Sequence, residues 1–259
     1  MKTEAIIDHI TGWLRDYCLG AGTKGFVIGV SGGIDSAVAS ALAARTGLPL
    51  LVVEMPIHQS PDQVARARAH IALLKARHAA VESAEVDLTA TFDGLVAALP
   101  DGPAGSGREM ALVNTRARLR MTTLYYFAGL DGRLVVGTGN KVEDFGIGFF
   151  TKYGDGGVDL SPIADLMKTE VYELGRALGV NEAILSAAPT DGLWGDDRTD
   201  EDQIGASYPE LEWAMGFDGD SATLDSRQSE VLAIYRRLNA ANRHKMEPIP
   251  VCIIPDELR

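Results

Sequence analysis

Gly25-Phe26-Val27-Ile28-Gly29-Val30-Ser31-Gly32-Gly33-Ile34-Asp35-Ser36, running on into the alanine-rich stretch 37–46, is the segment whose reading decides the fold. The short apolar run reads as a buried strand, Ser31-Gly32-Gly33 as a tight turn and the alanines as a helix. Strand, glycine turn and helix in that order build a phosphate cradle. The two glycines permit close backbone approach and φ angles closed to other residues. The amides of the first helical turn then join the hydroxyls of Ser31 and Ser36 as donors to phosphate oxygens. The Gly-Lys-Ser/Thr ending of a Walker A loop is absent, and so is the three-glycine spacing of a dinucleotide fingerprint. Asp35 lies inside the loop, where a carboxylate repels phosphate unless a metal sits between them, which points to Mg²⁺. The competing reading is an aspartate that caps a helix beginning near Ser36.

Working outward, residues 3–18 carry Ile6, Ile7, Ile10, Trp13, Leu14 and Tyr17 at helical spacing. Residues 48–55 form a continuous apolar run ended by Pro56, as a strand buried on both faces requires. Ser60 and Pro61 open a helix that reaches about residue 80, with Ser60 as cap. A strand over 82–88 and a helix over 89–99 follow. This alternation predicts an α/β fold, a doubly wound, mostly parallel five-stranded sheet with helices on both faces. Residues 109–129 form one long helix with more apolar surface than one contact face needs, which predicts a homodimer. A strand over 133–137 delivers Thr138-Gly139-Asn140-Lys141-Val142-Glu143 to the ligand end of the sheet. A loop is expected over 146–159, a helix over 164–178 stopped by Gly179, and helices over 210–215 and 226–242. From Arg243 on, Pro248 and Pro250 suggest an extended strap.

The 259 residues, 46% hydrophobic, suit one large core, so a single domain over 1–259 is expected. Glycine-rich 100–108 and acidic 189–205 read as mobile segments; the second is either a solvated loop or a lid over a reaction centre. The formal charge of −12 and the lack of a lysine-arginine stripe argue against nucleic acid and anionic membranes as partners. The acidic amphipathic start does not read as a signal peptide, and no apolar run is long enough to span a bilayer. Two distant cysteines, Cys18 and Cys252, suit a reducing cytoplasm and no structural zinc.

Ser31-Gly32-Gly33-Ile34-Asp35-Ser36 resembles the pyrophosphate loop of the N-type ATP pyrophosphatases, which cleave ATP to AMP and pyrophosphate while adenylating a substrate. Further blocks narrow the resemblance to the ammonia-dependent NAD synthetases. They are Asn114-Thr115-Arg116-Ala117-Arg118-Leu119-Arg120-Met121, Gly137-Thr138-Gly139-Asn140-Lys141, the run Gly148-Phe149-Phe150-Thr151-Lys152-Tyr153-Gly154-Asp155-Gly156-Gly157, Asp159-Leu160-Ser161-Pro162-Ile163-Ala164-Asp165-Leu166-Met167-Lys168, Thr199-Asp200-Glu201, Ser207-Tyr208 and His244-Lys245.

That resemblance implies a set of roles. The loop residues Ser31, Gly32, Gly33, Ile34, Asp35 and Ser36 would hold the outer phosphates of ATP, and Asp35 with Glu143 would hold Mg²⁺. Gly29, Met55, Thr138, Lys168 and Thr190 would surround ATP and the adenylate. Asn114, Arg118, Phe149, Lys152, Asp155, Asp159, His244 and Lys245 would face deamido-NAD, with Phe149 stacked on the nicotinate ring and Asp159 near the dinucleotide or the arriving ammonia. By residue type alone, Lys168 reads as a solubilising charge and Phe149 as core, although a flat ring on a loop beside glycines also suits stacking. Arg116, Arg118 and Arg120 cannot all face one way on a helix.

Three departures from the family pattern stand out. The stretch between Glu143 and Gly148 is one residue longer than in some relatives, Asp191-Gly192-Leu193-Trp194 replaces a common Ala-Asp-Leu, and Met246 stands where an arginine usually follows His-Lys. The implied reaction is ATP-dependent amidation of deamido-NAD by ammonia, free or delivered by a partner, since 259 residues leave no room for a glutaminase as well. The alternatives are a synthetase acting on another carboxylate or carbonyl, GMP-synthetase-like or tRNA-thiolating, and a nucleotide-binding sensor without turnover.

Overall fold

A computed structural model describes residues 1–100, 102, 106–190 and 199–259. Its element order is α1 (Thr3–Gly20), β1 (Phe26–Gly29), α2 (Ile34–Arg45), β2 (Leu50–Glu54), α3 (Pro61–Arg77), β3 (Val81–Glu85), α4 (Thr89–Ala98), α5 (Ser106–Asp131) and β4 (Leu134–Val135). After a π-helix (Val142–Ile147) come α6 (Lys168–Ala177), α7 (Glu182–Leu185), α8 (Asp200–Ile204), α9 (Tyr208–Gly216) and α10 (Ser226–Met246).

Every strand pairing is parallel, in the order β3-β2-β1-β4, with Phe26 beside Leu50 on one side and beside Leu134 on the other. The period-2 geometry of a strand sends alternate side chains to opposite faces. Phe26, Ile28 and Val30 therefore join α1, α2, α3 and α6 in one buried cluster. Val27, Leu51 and Val53 join α4 and α5 in a second, across the sheet. The α/β architecture with helices on both faces is as the sequence indicated. The sheet has four strands among the described residues, not five. A fifth is reduced to the single parallel bridge Val136–Leu160, because the Asp159 carboxylate accepts the Val135 N–H that a longer ladder would use. A third cluster joins α9, α10 and the π-helix.

The strand order places the site. From β1 the chain steps outward to β2 and β3, then returns to set β4 on the other side of β1. Ligands of open α/β sheets bind beyond the carboxyl ends of strands where the winding reverses. Ser31-Gly32-Gly33 follows β1 and Gly137-Thr138-Gly139 follows β4, so both stand at that point.

Several local expectations change. The helix expected over 164–178 begins at Lys168, and the Glu170 carboxylate accepts from the Met167 N–H. The strap expected from Arg243 begins only after α10, because no proline interferes before Pro248 and the basic run 243–245 suits a helix C-terminus. Of the segments expected to be mobile, Ser106 onward already belongs to α5, and Asp200–Ile204 is helical. The Asp191-Gly192-Leu193-Trp194 departure lies outside the described residues.

Candidate active site

The phosphate loop is held by its own hydroxyls. Ser36 Oγ accepts from Ser31 N at 3.2 Å, lies 3.2 Å from Ser31 Oγ and donates to Gly33 O at 3.1 Å. Gly32 adopts φ +84, the left-handed region, and a Cβ there would lie 2.5 Å from Gln63 O of α3. Gly33 is extended at φ −95, so only one of the two glycines is needed for its φ angle. Helix α2 begins at Ile34 with Gly33 as its cap. Asp35 thus stands inside the first turn, and its side chain points to long-range partners instead of capping.

Those partners form the centre of the site. Lys168 Nζ lies 2.5 Å from Asp35 Oδ2 and 2.9 Å from Glu143 Oε1. Asn140 Nδ2 donates to Asp35 Oδ1 at 3.1 Å, while Asn140 Oδ1 accepts from the N–H groups of Val142 and Glu143 and starts the π-helix. Tyr208 donates its hydroxyl to Glu143 Oε1 at 2.6 Å, and its ring lies 4.6 Å from Lys168 Nζ. Burial drives the Asp35 carboxyl upward against the pull of Lys168. For Glu143 burial acts the same way, but the Lys168 charge and the Tyr208 hydroxyl outweigh it and hold the carboxyl below its usual range. Burial pulls Lys168 down, yet the two carboxylates more than reverse this, so it remains an ammonium.

A cleft of about 260 Å³ opens over this centre. The phosphate loop, Gly29, Met55, Thr138, Glu143, Phe149, Asp155, Lys168 and Thr190 all line it. A strand-order switch, a glycine loop and a buried carboxylate–lysine–carboxylate centre converge on one cleft suited to a nucleotide triphosphate.

The NAD synthase family profile matches residues 6–248. This chain belongs to the NAD synthase family. The NH(3)-dependent NAD(+) synthetase of Carboxydothermus hydrogenoformans is 37% identical over 246 residues, 94% of this chain and 93% of its own. That of Syntrophomonas wolfei is 36% identical over the whole of both chains. Among solved structures, NMN synthetase from Francisella tularensis is similar with a TM-score of 0.85 and 32% identity over 99% of each chain. NAD+ synthetase from Burkholderia pseudomallei is similar with a TM-score of 0.72 and 28% identity, covering 95% of this chain and 90% of its own. The chain is thus a ligase of the N-type ATP pyrophosphatase superfamily.

Between Glu143 and Gly148 the chain does not continue as a regular α-helix: Val142–Ile147 is a π-turn with i→i+5 bonding, closed by Gly148 at φ 64. Inside it, Asp144 packs its carboxyl against Gly139 and lines the cleft. Burial first, then the charges of Glu143, Asp155 and Asp35, push Asp144 up to about 8.

Of the other residues expected at the dinucleotide side, Asp155 lines the cleft, whereas Asn114, Arg118, Lys152, His244 and Lys245 do not. Asn114 Oδ1 accepts from Thr151 Oγ1 at 2.6 Å, and Arg118 donates to Lys152 O at 3.3 Å. Lys152 Nζ donates to His244 O at 2.7 Å, and Lys245 Nζ donates to Gly148 O and Phe150 O. Helix α10 thereby ties down the loop that carries Phe149. Asp155 accepts from Thr151 N, and burial raises its carboxyl to about 6. Asp159 does not line the cleft; it accepts from Tyr125 Oη and Val135 N between α5 and β4.

Sequence reasoning missed Arg66, Arg120, Asn140, Asp144 and Tyr208. Arg66 and Arg120 line the cleft, the former donating to Gly32 O and the latter to Met55 O and Gln59 Oε1. The three α5 arginines do diverge: Arg116 stacks on Phe92, Arg118 reaches Lys152 and Arg120 enters the cleft. Arg120, Asn140 and Tyr208 fell within the family blocks, which was the one signal available for them.

Proposed function

We propose that this chain, as one synthetase domain, amidates the nicotinate carboxylate of deamido-NAD with ammonia while ATP goes to AMP and pyrophosphate. The carboxylate oxygen attacks the α-phosphorus of ATP, pyrophosphate leaves, and ammonia displaces AMP from the resulting mixed anhydride. A carboxylate is a poor acceptor for ammonia until its oxygen departs as AMP, which is what ATP supplies. The observation that carries this reading is the Lys168 bridge between Asp35 and Glu143 at the mouth of the phosphate loop.

The substrate is itself the nucleophile, so the protein's task is to position two anions and neutralise them. Lys168, Arg66 and Arg120 bring positive charge to the cleft. The amides and hydroxyls at residues 31–36 take the outer phosphates, and Phe149 offers a flat face to the nicotinate ring. Asp35 and Glu143 would hold Mg²⁺, which when bound neutralises the departing pyrophosphate. Among the described residues no three His, Cys, Asp or Glu gather as a metal-ligand set. Two hard carboxylates completed by phosphate oxygens and water nevertheless fit a common way of binding Mg²⁺. Two free thiols, with no helix among the described residues long and apolar enough to cross a membrane, agree with a cytoplasmic setting. Homodimer formation through α5 is part of the same proposal.

The test is pyrophosphate release with deamido-NAD and ammonium added singly and together. Full turnover is expected only with both. Equal turnover without deamido-NAD would overturn the reading. A second substrate, nicotinate mononucleotide, is favoured by the likeness to the Francisella protein named NMN synthetase. Comparing kcat/KM for the two acids decides between them.

A further inference from the structure

The side chain of Lys168 is 3% exposed, and its ammonium touches both carboxylates assigned to the metal. Both carboxylates have further donors. Glu143 Oε1 also accepts from Tyr208, and the other Asp35 oxygen accepts from Asn140. The Tyr208 ring lies against the same ammonium and helps fix it in place. Two carboxylates and one ammonium leave a net charge of −1, so a free divalent cation finds its ligand pair half neutralised and a positive charge within a few ångströms.

Phosphate reverses that balance. A triphosphate seated at residues 31–36 adds several negative charges within reach of the same ammonium. A lysine is a compact charge on a flexible stem, able to turn from carboxylate to phosphate. We propose that Lys168 makes divalent-cation binding at Asp35 and Glu143 conditional on the nucleotide. The ammonium holds the carboxylates against free metal, and yields them when metal arrives together with the triphosphate. Metal and nucleotide are then coupled sites, each tightening the other by the same factor. Metal leaves with pyrophosphate because the ammonium returns to the carboxylates. This rests on the ATP reading of the loop given above.

The experiment measures free Mn²⁺ by electron paramagnetic resonance during titration of the wild type, Lys168→Met and Lys168→Arg, with and without α,β-methylene-ATP, which cannot release pyrophosphate. Without nucleotide, Lys168→Met is expected to bind Mn²⁺ at least about tenfold more tightly than the wild type. Lys168→Arg keeps the charge and is expected to stay weak. Adding Asp35→Asn to Lys168→Met is expected to abolish the gained site. With nucleotide, the tightening seen in the wild type is expected to shrink in Lys168→Met. Should Lys168→Met fail to fold by circular dichroism, Lys168→Gln serves the same comparison. Nucleotide-free Mn²⁺ affinity no tighter in the uncharged variant than in the wild type overturns the proposal and leaves the ATP site intact. Failure of the wild type to bind Mn²⁺ with the nucleotide analogue, together with no effect of Asp35→Asn on analogue binding, would instead overturn the reading of the loop.

Discussion

Replacing Gly32 by alanine is the sharpest perturbation of the phosphate loop. At φ +84 an added Cβ meets Gln63 O at 2.5 Å, Ala67 N at 3.1 Å and the Arg66 Cβ at 3.2 Å. The first two are backbone atoms of α3, so no rotamer change relieves the contact. The left-handed conformation alone costs a non-glycine residue about 1–2 kcal/mol. To restore van der Waals distance the loop and α3 must separate by about 1 Å, which adds a comparable amount in lost packing. A total of about 2–4 kcal/mol lowers the melting temperature of a chain this size by roughly 5–10 °C. A displacement near 1 Å at a positioning element costs about a hundredfold in rate. The control is Gly33→Ala. Gly33 is extended at φ −95, and its Cβ would approach nothing closer than Ser31 Oγ at 3.4 Å. Its stability loss is expected below about 1 kcal/mol, that of a changed helix cap. Thermal melts and ATP-dependent pyrophosphate release on both variants make the comparison. Equal melting temperatures for the two alanine variants would refute the assignment of loop strain to Gly32.

Two further outcomes are expected. Asp144, raised to about 8 by burial and neighbouring carboxylates, binds its proton more tightly folded than unfolded. Its contribution is therefore complete below the ordinary carboxylate range and is lost as pH rises through about 8. Asp144→Asn mimics the protonated form. It is expected to match wild-type stability in urea near pH 4, and at pH 9 to exceed it by on the order of 5 kcal/mol; a difference independent of pH refutes the raised Asp144 carboxyl. On α5, Tyr126 and Leu130 are each 62% exposed. Tyr126→Glu with Leu130→Glu is expected to halve the mass seen by sedimentation equilibrium without changing the melt, and a wild type already monomeric defeats the dimer assignment.

Local patterns told most about the frame. Ser60 accepts from Gln63 N, with Pro61 in the first turn, where the sequence placed them. The β1 turn and α2 were legible because strand, glycine and helix signals act over a few residues. Even the failures had local causes. The strap was started too early because prolines at 248 and 250 were allowed to speak for residues that α10 retains, where Lys245 reaches the carbonyls of Gly148 and Phe150. The π-turn that sets Asp144 against Gly139 had no local signal, because it depends on contacts across the site.

By itself the sequence determined an α/β chain with a phosphate loop after its first strand, and its blocks of family resemblance named the residues to watch. Only the tertiary structure decided that Lys168 lies between Asp35 and Glu143, that Tyr208 holds Glu143, and that Arg66 and Arg120 enter the cleft while Asp159 does not. The physical reason is range. Turns and helices follow from hydrogen bonds and side chains a few positions apart, whereas a charge 133 residues from its partner is placed by the order of strands in the sheet, which no local preference encodes.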